Sequence, residues 1–317
     1  MTGYTLTKRG TVVKYTGTEK NVVIPEGIIG VGEMAFSETD VETVTLPSTA
    51  RKIGKSAFRL CKNLKSIIIP ESVTDIGVGA FYGCESLEKI VLPKNIQNIG
   101  RHTFWGCSSL KVAVLPEYTD FIDELAFYRC EELETVCMPK KTGMIGKQAF
   151  YRCKKLRQIT IPDGTLLIGE NAFSECASLE TVLLPDSLQK IGVGAFSDSV
   201  RLGSILIPEG TEVVGGLAFS GCRSLVKAEL PSSLSTLQKN VFYGCVKLEQ
   251  IRIPEGVQKI ETGAFANCPK LRQVELPDSL ASVEGWNWPR DTVITASEGS
   301  YAEEYAKKQG LTFRCRT

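Results

Sequence analysis

Histidine occurs once in this chain, at His102. A serine or cysteine triad that depends on histidine therefore finds little support, and the HExxH zinc motif is impossible. GxxxxGK[ST] is absent, and so is the CxxC spacing of structural zinc sites. Gly30-Val31-Gly32, Gly77-Val78-Gly79 and Gly192-Val193-Gly194 are glycine pairs without the third glycine of a dinucleotide fingerprint. Acidic residues are scattered, with no pair that stands out as a hydrolase dyad. The sequence holds no Asn-x-Ser/Thr acceptor and no apolar run of 18 residues, which excludes a membrane-spanning helix. It also lacks an excess of either charge: 37 basic residues face 36 acidic ones. Nucleic-acid and polybasic membrane binders need a basic surplus, so neither partner is expected. These absences predict a chain that is not an enzyme and uses no cofactor or metal.

What the chain has instead is a repeat. Proline recurs at Pro25, Pro47, Pro70, Pro93, Pro116, Pro139, Pro162, Pro185, Pro208, Pro231, Pro254 and Pro277; the first step is 22 residues (47 − 25) and the next ten average 23 (230/10). Phenylalanine keeps the same step from Phe36 through Phe58 and Phe81 to Phe265. Self-similarity of this period means a solenoid, in which each repeat is one rung and packs only on its neighbours. Length alone would suggest two globular domains, and the repeat overrides it.

Within each rung a short β-forming run precedes the proline, as in Ile67-Ile68-Ile69 before Pro70. Alternate side chains of such a strand point inward, and proline ends it because it has no N–H to donate. A column of glycines (Gly54, Gly77, Gly100, Gly146, Gly169, Gly192, Gly215) follows, and is expected to allow a tight bend. The segment after it, Gly79 to Leu87, is too short and glycine-rich for an α-helix, so turns or 3₁₀ structure are expected there.

The ends break the pattern. Residues 1–21 hold two β-rich runs around Lys8-Arg9-Gly10 and read as a capping hairpin. Residues 22–277 are eleven repeats, and residues 278–317 a second cap. There Gly285-Trp286-Asn287-Trp288-Pro289 interrupts the period, with both tryptophans expected to cover the last rung. Ser300 with Glu303 forms a capping box for a short helix that Gly310 ends, and Leu311-Thr312-Phe313 is a last strand.

Of eleven cysteines, nine share one column: Cys61, Cys84, Cys107, Cys130, Cys153, Cys176, Cys222, Cys245 and Cys268. Buried free thiols acting as small apolar groups are the expectation. So many free thiols suit a reducing compartment. A second column alternates in charge (Glu42, Lys65, Glu88, Lys111, Glu134, Arg157, Glu180), and predicts cross-rung ion pairs, as do Glu131 and Glu132 before Lys154 and Lys155.

The unit Leu64-x-x-Ile67-x-Ile69-Pro70-x-x-Val73-x-x-Ile76-Gly77-x-x-Ala80-Phe81-x-x-Cys84 resembles the BspA-like, or Treponema pallidum-type, leucine-rich repeat. The general leucine-rich pattern wants Asn or Cys in a column that here reads Thr49, Ser72, Asn95, Tyr118, Lys141, Gly164 and Ser187, so the asparagine ladder is largely missing, a departure the BspA-like class shares. The resemblance implies a leucine-rich-repeat solenoid: a right-handed curved coil of short parallel β-strands with a 3₁₀ or turn convex side, mostly β with little α-helix. It also implies adhesion and protein binding. The start of the chain has no apolar leader, and with the free cysteines this points to the cytoplasm. The resemblance implies the cell surface or secretion if a leader was removed.

Two surface columns are candidates for function. The residue between two inward strand positions reads Thr45, Ile68, Val91, Val114, Cys137, Thr160, Leu183 and Leu206, then Glu229, Arg252 and Glu275. An exposed apolar row of this kind marks an interaction surface. A protein or peptide partner is expected on it, centred on Ile68, Val91, Val114, Cys137, Thr160, Leu183 and Leu206, with the charged rungs as a rim. Self-association through the same row is an alternative. The second column, after the phenylalanine, reads Tyr82, Trp105, Tyr128 and Tyr151 over four rungs, and an aromatic ladder of this kind could bind carbohydrate.

Overall fold

The computed structural model describes residues 3–316. It divides into two compact units, Met1–Leu156 and Arg157–Thr317. Each is a β-solenoid whose rungs carry two strands and a turn segment.

In the first unit, the hairpin Tyr4–Leu6 and Thr11–Tyr15 precedes the repeats, and its second strand pairs parallel to Gly30–Val31. Three-residue strands then recur at Asn21–Val23, Thr43–Thr45, Ser66–Ile68, Lys89–Val91, Val112–Val114 and Thr135–Cys137. Two-residue strands recur at Lys52–Ile53, Asp75–Ile76, Asn98–Ile99, Phe121–Ile122 and Met144–Ile145. The sequence pattern showed the first ladder, shifted by one residue, and not the second. Strand period explains the facing: the middle residues Val44, Ile67, Ile90 and Ala113 are buried, while their neighbours face outward.

The turn segment is not a helix. Its N–H groups alternate between two acceptors. Ala80, Tyr82 and Cys84 donate to the carbonyls of Gly77, Gly79 and Phe81 in their own rung, whereas Gly79, Phe81 and Gly83 donate to Arg101, Thr103 and Trp105 in the next. Every backbone donor there is used, half to close turns and half to bind rungs. The geometry needs a left-handed residue two before and two after each phenylalanine. Gly79 (φ 62°) and Gly83 (φ 69°) supply it in one rung, and Ser56, Leu60, Leu125 and Arg129 adopt it elsewhere. The glycine column serves a different purpose from the bend expected of it, since Gly54 and Gly146 lack positive φ. A Cβ on either would lie 2.6 Å from backbone of the preceding rung, so glycine is required there by close approach.

The phenylalanines form a buried stack. Phe36, Phe58, Phe81, Phe104, Phe127 and Phe150 follow one another at ring-centroid distances of 5.1–5.5 Å, and Tyr15 of the hairpin extends the stack at 4.8 Å from Phe36.

The second unit repeats the plan, with three-residue strands from Gln158–Thr160 to Gln273–Glu275 and the stack Phe173 to Phe265. Its last ring is Trp288, stacked 5.3 Å from Phe265. Trp288 lies 23 residues after Phe265 (288 − 265), so the period continues through the segment that seemed to break it. Its indole N–H donates to Tyr305 Oη at 3.2 Å. Trp286, by contrast, is exposed. The helix Tyr301–Gln309 is capped by Ser300, which accepts from the Glu303 N–H, and ends at left-handed Gly310. Glu303 reaches back to the Gly299 N–H rather than to that of Ser300. The strand Thr312–Cys315 closes the unit against Val293–Ala296.

The column cysteines are buried and do more than fill space. Cys84, Cys107 and Cys130 each donate their thiol to the carbonyl of Phe58, Phe81 and Phe104 at 3.1–3.2 Å. In the second unit Ser199 stands in this column, and its hydroxyl makes the same bond to the Phe173 carbonyl at 3.0 Å. Burial pushes the Cys107 thiol up to about 12 and those of Cys84 and Cys130 well above their usual value.

Candidate interaction face

In the first unit the outward column of the three-residue strands contains Ile68, 63% exposed, and Val91, 49% exposed. Val114 and Thr45 are half-buried, and Cys137 is exposed with a free thiol. Ladder registers align this column from rung to rung: Thr45 opposite Ile68, Val91 opposite Val114, Val114 opposite Cys137. Sequence reasoning missed Val23, the most exposed member at 73%, opposite Thr45. The signal was present, because Val23 precedes Ile24-Pro25 as Thr45 precedes Leu46-Pro47. The companion outward column, at the first strand position, holds Asn21, Thr43, Ser66, Lys89, Val112 and Thr135, so this face carries no carboxylate over those rungs.

In the second unit, Thr160 is exposed and Leu183 and Leu206 are 57% and 58% exposed. The column then turns ionic. Glu229 pairs with Lys227 at 2.5 Å, and Arg252 with Glu275 at 3.3 Å. A shallow cleft of about 340 Å³ lies over these rungs, lined by Gln250, Gln273 and the charged pairs.

The aromatic column is a tight pile. Tyr82 stacks on Trp105 at 4.4 Å, Trp105 on Tyr128 at 5.5 Å and Tyr128 on Tyr151 at 4.9 Å, with planes within 13°. Arg59 lies over the outer face of Tyr82 at 5.6 Å, and Arg152 over Tyr151 at 5.8 Å. Sugars stack on ring faces, and here the faces are taken by neighbouring rings and guanidinium groups. All four side chains are half-buried. What the pile offers outward is ring edge.

The alternating charge column closes only in part. Glu42 takes Lys65 at 2.7 Å and Lys20 at 2.9 Å, and these two ammonium groups hold its carboxyl down to about 2. Neither Lys65 nor Lys111 comes within ion-pair distance of Glu88, so the expected continuous ladder is absent from the described residues of this unit. Glu131 does take Lys154, at 2.8 Å. Among the described residues no cluster of three or more His, Cys, Asp or Glu side chains could hold a metal, and no helix is long and apolar enough to cross a membrane.

A family model for the BspA type leucine-rich repeat region matches residues 14–111, 120–248 and 190–288. The chain belongs to this family. Among solved structures, this BspA-type chain is similar to a leucine-rich cell surface protein from Faecalibacterium prausnitzii, at 26% identity and a TM-score of 0.57, covering 90% of this chain and 93% of that one. It is also similar to a leucine-rich repeat protein from Bacteroides ovatus, at 23% identity and a TM-score of 0.68, covering 99% and 98%. A leucine-rich repeat protein of T. pallidum matches at 31% identity over 63% of this chain and 86% of that one, with a TM-score of 0.46. No curated protein matches the BspA-type chain in sequence.

Proposed function

We propose that this protein is a non-enzymatic scaffold that binds a protein or peptide partner on the outward face of its three-residue strands. The observation that carries this reading is the row of aliphatic side chains there. Val23, Ile68 and Val91 in the first unit, and Leu183 and Leu206 in the second, hold their apolar surface in water although the fold has no packing use for it. Leaving such surface exposed forgoes part of the about 1.5–3 kcal/mol that full burial of each side chain is worth, and a partner that covers it recovers that part. In the first unit Val114 and Cys137 belong to this face; in the second Thr160 does, with Glu229, Arg252 and Glu275 as the polar rim of that unit's row. The Faecalibacterium relative is described as a cell surface protein, which favours a surface role for this chain, adhesion included, over a cytoplasmic one.

Proteins retained from host and bacterial extracts by immobilised protein would be purified singly and titrated against the parent, Ile68→Glu and Leu206→Glu. Both variants are expected to keep the parent's melting temperature, and at least one to lose binding about tenfold or more. Unchanged affinity in both variants for every partner would move the site elsewhere. Sedimentation of the purified chain separates self-association from binding a foreign partner, since only the former proceeds without additions.

A further inference from the structure

We propose that the first unit carries a hinge between two consecutive rungs, residues 66–76 and residues 89–99, which opens on the strand side and pivots on the turn side. The junctions on either side show what a closed rung contact looks like. Between the rung of residues 43–53 and that of residues 66–76, Leu46 donates to Ile68, Thr74 to Arg51 and Gly77 to Ile53. Between the rung of residues 89–99 and the next, Leu92 donates to Val114, Asp120 to Gln97 and Asp123 to Ile99. At the junction between them, the equivalent donors Ile69, Gln97 and Gly100 find no partner across the gap, and neither Ser66–Ile68 with Lys89–Val91 nor Asp75–Ile76 with Asn98–Ile99 joins into a sheet. Within the described residues of either unit, this is the one junction at which both ladders break together.

Side-chain packing marks the same place. Val31, Ile53, Ile99 and Ile122 are buried, but their column mate Ile76 is half-exposed. A crevice too narrow for a water molecule lies beside it, lined by Ile96, Asn98 and Gly100. Two buried oxygens at the junction, Ser72 Oγ and Asn98 Oδ1, have no hydrogen-bond partner. The glycine column measures the gap. A Cβ on Gly54 or Gly146 would stand 2.6 Å from the preceding rung's backbone, whereas one on Gly100 would approach that rung no closer than 3.9 Å, at the Ile76 carbonyl.

The turn side, by contrast, is fully fastened at this junction. Gly79, Phe81 and Gly83 donate across it at 2.7–3.0 Å, Phe81 stacks on Phe104, and Tyr82 stacks on Trp105 at 4.4 Å, the shortest ring separation in the chain's described stacks. One edge is fully bonded, while the other is held by little more than the Glu88 N–H to the Lys65 carbonyl and the Lys94 N–H to the Glu71 carboxylate at 3.1 Å, which is the construction of a hinge. The aromatic pile thereby acquires a role that needs no ligand: it begins at this junction and clasps the pivot. Opening would separate Ile68 from Val91 on the strand face.

Residue-resolved amide exchange of the whole chain tests this. The decisive amide is Glu88, which bonds across the junction to the Lys65 carbonyl at 3.2 Å, as its column mates Lys65 and Lys111 bond across closed junctions at 2.8 Å. A hinge breaks the Glu88 bond each time it opens, so Glu88 should exchange about tenfold or more faster than Lys65 and Lys111. Gly79, Phe81 and Gly83, at the pivot, should stay as slow as Phe58 and Phe104. Equal rates for the three column mates, or fast exchange at Phe81, would overturn the hinge. A second measurement reads the gap itself. Gly100→Ala should leave the melting temperature near that of the parent while Gly146→Ala lowers it clearly; similar losses in both would show that the gap does not exist.

Discussion

The turn edge and the strand face of one rung obey opposite rules. Along the turn edge Ala, then Phe, then Cys return in most rungs, with substitutes as conservative as Ser199, and each is buried and bonded to its neighbours. Along the strand face the outward residue is valine, threonine, isoleucine, cysteine, leucine or glutamate in turn, and the ladder is interrupted between some rungs. The contrast separates two tasks. Stability and rung register reside at the turn edge, where any change propagates through a stack. The strand face is freer to vary because its outward side chains belong to no buried stack and meet their neighbours only in exposed contacts such as Arg252 with Glu275, and variation of that kind suits recognition.

The largest expected effect tests that division directly. Phe104→Ala removes a fully buried ring stacked between Phe81 and Phe127, and should cost about 3–5 kcal/mol in urea unfolding. Val91→Ala, on the strand face, should cost less than about 1 kcal/mol. Similar losses would mean that the strand face is structural after all.

The cysteine column gives the next effect. Cys107→Ala takes from the Phe81 carbonyl the thiol donor it has at 3.2 Å, leaving it the Cys84 N–H alone, and should cost about 0.5–1.5 kcal/mol for the bond. Cys107→Ser should recover much of that, because Ser199 makes the equivalent bond naturally. If serine is as costly as alanine, the column is selected for volume and the bond is incidental. The same column predicts thiol reactivity. In the native protein the exposed Cys137 and Cys315 should react with a thiol reagent first. The buried thiols, with Cys107 held up to about 12 by burial, should react only on unfolding. Intramolecular disulfides seen by native mass spectrometry would contradict this.

Much of this architecture was legible beforehand, and the reason is physical. A period of 23 residues repeated through Phe58, Phe81 and Phe104 constrains every rung alike, so the phenylalanine stack and the inward strand positions follow from counting. What stayed hidden depends on single junctions. Gly100 looks like any other member of its column, and only the packing shows that its rung stands apart. Trp288 was masked by its change of residue type although it keeps the phenylalanine step. The charge column misled for a related reason. Alternation in sequence places opposite charges in adjacent rungs, but long exposed side chains gain little by pairing, and Glu88 pairs with neither neighbour while Glu42 takes two. Of the proposed interaction face, the outward facing was legible from strand alternation, because alternate side chains of a strand leave on opposite sides.

The smallest expected effect concerns Glu42, where the flank of the strand face carries order of its own. Hydrogen bonds from Lys65 and then Lys20, reinforced by their charges, hold this carboxyl down to about 2 from an ordinary 4.5. A group whose folded value is depressed favours the folded state while it is ionised in both states, above its unfolded value. Its contribution should therefore be present at pH 5 and above, and fade as pH falls from about 4.5 toward about 2. Glu42→Gln keeps the shape and removes the charge. The stability difference between parent and variant should shrink across that pH window and also diminish in high salt, because the pair stands in solvent where counter-ions screen it. A turn-edge control is available in Phe104→Ala, whose loss should depend on neither variable, since the ring carries no charge. If the Glu42→Gln difference were flat from pH 5 to pH 2.5, the two lysines would be neighbours of Glu42 without being its partners, and the first rungs would owe their register to the turn edge alone.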